Sequence, residues 1–318
     1  HGKMASILVI GGTLLLIIGL LLAIPFLIEE LRPRVNAERR KDATGAFVTL
    51  SKGVTYYDWL GPARGPVAVC VHGLTTPSFV WRGLARGLAL MGYRVLIYDL
   101  YGRGYSDRPK GKQDTTFFLN QLDELLSDQG VNDEITLIGY SMGGAIATSF
   151  VAQNPGRIRQ LILIAPAGIK IARSRLMNFA INTPILGNWL MLFLFPFLHR
   201  IGTAKERKLP STVENIVDLQ RAELKLHGFT PAVLSSMRGM LATGQEEEHK
   251  TIRRAGIPVL AVWGREDDVI PLTAVGSLAE WNREARQEVV DSAGHGLPYT
   301  HTDDVLGAMR ETLRDGLG

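Results

Sequence analysis

From Ala5 to Ile28 the chain reads "ASILVIGGTLLLIIGLLLAIPFLI", with no charge in 24 residues. A helix rises about 1.5 Å per residue, so such a stretch can cross a hydrocarbon core of roughly 30 Å. It lacks the basic start, the shorter apolar region and the small-x-small site of a cleaved leader. A buried core helix is rarely apolar on every face for so long. The pattern therefore predicts a transmembrane helix over 5–28, followed by a polar juxtamembrane linker over 29–45. The first three residues, His-Gly-Lys ahead of Met4, read as a cloning remnant.

Beyond the linker, β-branched runs alternate with helical patterns. Strands are predicted at Phe47–Leu50, Val54–Leu60, Val67–Val71, Arg94–Tyr98, Ile135–Ile138, Leu161–Ile164, Val259–Trp263 and Gln287–Val290. "SKG" between the first two is a turn signal and predicts an antiparallel hairpin. The others are continuous apolar runs, as expected of strands covered on both faces. Helices are predicted at Phe79–Met91, Thr115–Gln129, Met142–Gln153 and Thr302–Leu313. This alternation predicts the α/β class: a mostly parallel, eight-stranded sheet flanked by helices. The rhythm stops between residues 170 and 255, where no strand pattern occurs and Leu176–Leu198 is almost free of charge. That segment predicts a helical lid inserted between two core segments, 46–169 and 256–318.

Composition narrows the possible partners. The chain has 318 residues, is 46% hydrophobic and carries a net charge of +4, enough for one large domain with an insertion. No basic cluster interleaved with aromatics suggests a nucleic-acid partner. Cys70, the only cysteine, lies in the apolar run "VAVCVHG" and reads as a buried strand residue. An intrachain disulfide and a cysteine zinc site are both excluded. No metal constellation is evident and no cofactor is expected. Arg32, Arg34, Arg39, Arg40 and Lys41 follow the apolar span, which by the positive-inside rule predicts a single-pass protein with its main domain on the cytoplasmic side.

The chemistry concentrates in "LIGYSMGGAIA", Leu137 to Ala147. An apolar strand runs into Gly139-Tyr140-Ser141-Met142-Gly143 and then a helical pattern, the strand–turn–helix setting in which G-x-S-x-G exposes a nucleophilic hydroxyl. The backbone N–H of Met142, after the serine, is a candidate oxyanion donor. A serine needs a base, and the base needs an orienting acid. His295 lies in the glycine-flanked loop "SAGHGLP" after the last predicted strand, and "WGREDDVIP" offers Asp267 or Asp268 as the acid. His72, in "HGL", reads as loop architecture.

Four segments, "VHGL", "DLYGRGYSDRP", "GYSMGG" and the "WGREDDVIP"/"GHG" pair, together resemble the α/β-hydrolase family over about residues 46–316. The resemblance implies the α/β-hydrolase fold, with Ser141 as nucleophile, His295 as general acid/base and Asp267, three residues after Gly264, as its orienter. It also implies Leu74 as the second oxyanion donor beside Met142. Serine at the nucleophile position departs from the aspartate of related dehalogenases and epoxide hydrolases. Thr300 stands where a His-x4-Asp acyl-transfer signature would need aspartate. The implied chemistry is ester hydrolysis through an acyl-serine intermediate.

With the apolar span, the arrangement resembles membrane-anchored monoacylglycerol lipases of the α/β-hydrolase-domain group. The expected substrate is a single-chain acyl ester of the monoacylglycerol or lysophospholipid type. Acyl-protein or other thioester hydrolysis, C–C bond hydrolysis and a non-catalytic membrane scaffold are the alternatives. In the lid, Phe179, Trp189, Phe193, Phe195 and Phe197 are bracketed by basic residues, which predicts that the bilayer is a partner of the lid as well as of the N-terminal helix.

Overall fold

A computed structural model describes residues 2–315; His1 of the expected remnant and residues 316–318 of the second core segment lie outside the described residues. The chain opens with α1 (Gly2–Leu31) and the single turn α2 (Ala37–Arg40). Eight strands follow: β1 (Ala46–Leu50), β2 (Gly53–Leu60), β3 (Val67–Val71), β4 (Arg94–Tyr98), β5 (Ile135–Tyr140), β6 (Ile158–Ile164), β7 (Val259–Gly264) and β8 (Arg286–Val290). They form one sheet in the order β1-β2-β4-β3-β5-β6-β7-β8. β1 and β2 form the expected antiparallel hairpin, β2 runs antiparallel to β4, and the pairs from β4 to β8 are parallel. The fold is that of an α/β hydrolase. β5 and β7 are buried at every position because helices cover both faces. β8 departs from the continuous apolar run expected: "RQEVV" is half-buried throughout and forms the sheet edge. Cys70 is buried in β3, and burial pushes its thiol pKa up.

The crossover helices are α3 (Arg82–Leu90), α4 (Thr115–Asp128) and α5 (Met142–Gln153). A 3-10 turn at Ser78–Trp81 precedes α3, so the helix expected from Phe79 starts three residues late. The lid segment holds α6 (Arg175–Asn182), α7 (Pro184–Ala204), a 3-10 turn at Lys205–Lys208, α8 (Ile216–Glu223), α9 (Phe229–Arg238) and α10 (Glu246–Arg254). α11 (Thr273–Trp281), absent from the sequence expectation, links β7 to β8; α12 (Leu297–Thr300) and α13 (Thr302–Asp315) close the chain. α13 packs with α3, whereas α5 packs with α4 and α10, and α10 with α11. α10 thus belongs to the helical layer beside the sheet, although the 170–255 boundary placed it in the lid.

The lid has a small core of its own, in which Met191, Phe195, Leu224, Phe229, Val233 and Leu234 are buried together. Phe195 was expected to face the bilayer with its aromatic neighbours; instead it fills this core, while Phe193 and Phe197 on the same helix are each 60% exposed. Among the described residues, two helical segments are long and apolar enough to span a membrane, α1 and Pro184–Lys208. α1 leaves its apolar side chains exposed on all sides and buries only Pro25 and Glu29. Its last turn is tied to the lid. The Glu29 carboxylate accepts the Gly228 N–H at the start of α9 (2.6 Å) and pairs with Arg32, and the Pro33 carbonyl accepts the His227 N–H. Further up the helix, Trp189 Nε1 of α7 donates to the Leu21 carbonyl at 3.3 Å.

Candidate active site

Ser141 stands between the end of β5 and the start of α5 with φ 54° and ψ −120°, left-handed backbone that a non-glycine residue rarely occupies. The surroundings enforce it. Ser141 N–H donates to the Ile164 carbonyl at 3.0 Å, and the Ser141 carbonyl accepts N–H groups from Gly144 and Ala167, both at 2.9 Å. Strand and helix meet so closely that a Cβ on Gly139 would lie 2.3 Å from the Gly143 carbonyl oxygen. One on Gly143 would lie 2.0 Å from that of Val71. Only glycine fits either position.

His295, in the loop after β8, brings Nε2 within 3.0 Å of Ser141 Oγ, while its Nδ1 lies 2.8 Å from Asp267 Oδ2. A carboxylate accepts only, so Nδ1 carries the proton and Nε2 is free to accept the serine's. The other Asp267 oxygen accepts the N–H groups of Val269 and Ile270 at 2.8 and 2.9 Å, and the side chain is 1% exposed. The His295 carbonyl accepts the Tyr140 hydroxyl at 2.8 Å, which fixes the loop against the residue preceding the nucleophile. Asp268 is exposed and lies along the cavity wall. The structure thus brings Ser141, His295 and Asp267 into one hydrogen-bonded line.

The two residues expected to supply oxyanion N–H groups flank the serine. Met142 is the first residue of α5, so its N–H has no acceptor within the helix. Leu74 follows Gly73, whose Cβ position lies 3.7 Å from Ser141 Oγ. Two buried side chains brace the Leu74 backbone. His72 Nε2 accepts the Leu100 N–H at 2.9 Å, leaving Nδ1–H to donate to the Gly73 carbonyl at 2.8 Å. That carbonyl shares a peptide plane with the Leu74 N–H and so fixes its direction. Burial pulls the His72 pKa down to about 3, so the ring stays neutral. Arg103 Nε donates to the Leu74 carbonyl at 3.0 Å. The remaining Arg103 donors go to Tyr101 O, Gln113 Oε1, Ala232 O and Ser236 Oγ. Arg103 is fully buried and links the loop to α9 of the lid. Sequence reasoning quoted its segment and assigned it no role; the available signal was a charge set between two glycines just after a buried strand.

A cavity of about 320 Å³ opens at Ser141 and His295, walled by Leu74, Thr76, His199, Glu206, Gln220 and Tyr299 among others. Of these, sequence reasoning found only Leu74. Among the described residues no cluster of His, Cys, Asp and Glu has the arrangement to hold a metal ion.

The profile of the alpha/beta hydrolase fold family matches residues 66–302. An uncharacterised protein of Mycobacterium tuberculosis is 26% identical over 75% of this chain and 72% of its own length. Lipase 1 of Psychrobacter immobilis is 27% identical over 82% of this chain and 81% of its own. Among solved structures, a bacterial membrane phospholipase A superposes with a TM-score of 0.69 at 20% identity, covering 98% of this chain and 99% of that one. At that identity the likeness is one of fold, and it extends over the N-terminal helix.

Proposed function

The chain belongs to the alpha/beta hydrolase fold family, and from that premise we propose that it is a membrane-anchored serine lipase or esterase acting on single-chain acyl esters. The observation that carries the reading is the Ser141–His295–Asp267 line, with Met142 opening α5 and Leu74 lining the same cavity. In the proposed reaction His295 Nε2 takes the Ser141 proton as Oγ attacks the ester carbonyl. The Met142 and Leu74 N–H groups stabilise the negative charge that develops on the carbonyl oxygen. His295 then protonates the departing alcohol, leaving an acyl-serine. Water, deprotonated by the same ring, releases the fatty acid and restores the serine.

The apolar surface supports a lipid substrate. α1 is the anchor in this reading, and the lid rests on the same bilayer. Phe193, Phe197 and Ile201 are exposed at successive four-residue steps along α7, which places them on one helix face. Trp189, at the same spacing, stacks on Phe193 with ring centroids 5.1 Å apart. An apolar stripe with Lys205, Arg207 and Lys208 at its end suits an anionic membrane surface. By the positive-inside rule, the basic residues after α1 favour a domain on the cytoplasmic side. The test is hydrolysis of glycerol esters of increasing acyl length by the full chain and by Ser141→Ala in detergent micelles. Ser141-dependent cleavage rising toward medium and long chains is expected; equal rates on acetyl and long-chain esters would sink the lipase reading.

A further inference from the structure

The cavity at Ser141 has a polar wall that the acyl-transfer chemistry leaves unused. Tyr299, in the turn after His295, donates its hydroxyl proton to Glu206 of the lid. Its oxygen is then left to accept, and Gln220 Nε2 donates to it at 3.3 Å and to Thr76 Oγ1 at 3.2 Å. This chain of donors fixes which way the Gln220 amide faces. Gln220 is 3% exposed, and its Oε1 is a buried acceptor with no partner. His199, from α7, lines the same cavity with its ring stacked on Phe195, and its Nε2 is also buried without a partner. Unmet polar atoms are rare in a folded interior, and here two occur in one cavity wall beside a nucleophile.

We propose that this wall recognises the alcohol half of the substrate and selects a neutral, hydroxylated head group of the glycerol class. The inference rests on the ester-hydrolase reading above and names its substrate class. A carbonyl oxygen such as Gln220 Oε1 is satisfied only by a donor; a glycerol hydroxyl supplies one, and a phosphodiester oxygen or a methyl group does not. Charge points the same way. Glu206 and Asp268 line the cavity, and no Lys or Arg does among the described residues. Arg221, behind Thr203, gives its guanidinium to Thr203 Oγ1 and the Arg200 carbonyl. A phosphate at this wall would face two carboxylates without a guanidinium to offset them.

The experiment compares kcat/KM of the full-length protein in detergent micelles on three oleoyl esters: monooleoylglycerol, methyl oleate and oleoyl lysophosphatidylglycerol. The glycerol ester is expected to lead each of the others by about tenfold or more. Gln220→Leu should collapse the glycerol-to-methyl ratio by about tenfold, and His199→Phe, which keeps the ring stack, should lower it in the same direction. Stoichiometric labelling of Ser141 by a fluorophosphonate counts folded sites in each variant. Should Gln220→Leu fail to fold, His199→Phe alone decides. Parallel losses on both esters, an unchanged ratio, or a preference for the lysophospholipid would overturn the inference while leaving the hydrolase reading intact. A labelled wild type that cleaves none of the three would overturn both.

Discussion

Ser141 keeps its hydroxyl at the C-terminal end of β5 by holding a backbone conformation of the kind that costs about 1–3 kcal/mol, offset by four backbone hydrogen bonds around it. The same economy governs its partners: Asp267 uses both oxygens, one on His295 Nδ1 and one on the N–H groups of its own loop. Asp267→Asn preserves that shape but allows the wrong imidazole tautomer. It should lower kcat by about 10³- to 10⁴-fold with a smaller change in KM, measured by steady-state kinetics on a soluble ester. Arg103 acts one step further out, as a positioning residue for Leu74. Arg103→Met should lower kcat by about 10- to 100-fold at nearly constant KM, and Arg103→Lys should rescue little because one ammonium cannot serve acceptors spread around a planar fork. Ser141, His295 and Asp267 were legible because each sits at a strand end in a local pattern of glycines. Gln220, His199 and Glu206 were not: they come from separate lid segments, and no spacing along the chain records that folding brings them to one wall.

At the scale of elements, the strands were legible because buried parallel strands read as apolar runs, and their ends moved by only a few residues. α11 escaped notice because it buries only Ala274 and Leu278 and carries Gly276 in its middle, so its helical period is faint. The direction of Phe195 was hidden for the opposite reason: α7 is apolar nearly all round, and composition does not say which side faces the lid core. α10 shows how a charged sequence can still be structural. Its His249 is fully buried against Trp281, with neither ring nitrogen partnered. Burial pulls its pKa down to about 4, below the ordinary value near 6.5. The unfolded chain therefore takes up a proton that the folded chain refuses, and the stability this group contributes is present above about pH 6.5 and lost as the pH falls toward 4. His249→Phe should stabilise the protein at pH 5 by about 2 kcal/mol more than at pH 7, read from denaturant midpoints at the two pH values.

Over the whole molecule, hydrogen bonds tie the N-terminal helix to the inserted segment. Glu29 at the start of α9, Pro33 on His227 and Trp189 on Leu21 join the end of the apolar helix to the segment that roofs the serine. In the proposed reading, substrate leaving the bilayer arrives beside the cavity without crossing water. Phe193→Ser with Phe197→Ser should then lower hydrolysis of a vesicle-embedded ester by about tenfold relative to the same ester in micelles. An unchanged vesicle-to-micelle ratio would show that the exposed stripe does not meet the membrane. The central claim, that Ser141 carries a lipid acyl group during turnover, is tested most directly by intact-protein mass spectrometry. The full-length protein is acid-quenched while it turns over monooleoylglycerol, and the modified peptide is then sequenced. The account predicts one oleoyl adduct, on the peptide carrying Ser141 and absent from Ser141→Ala. Hydrolysis that persists in Ser141→Ala, with no adduct on the wild type, would contradict it.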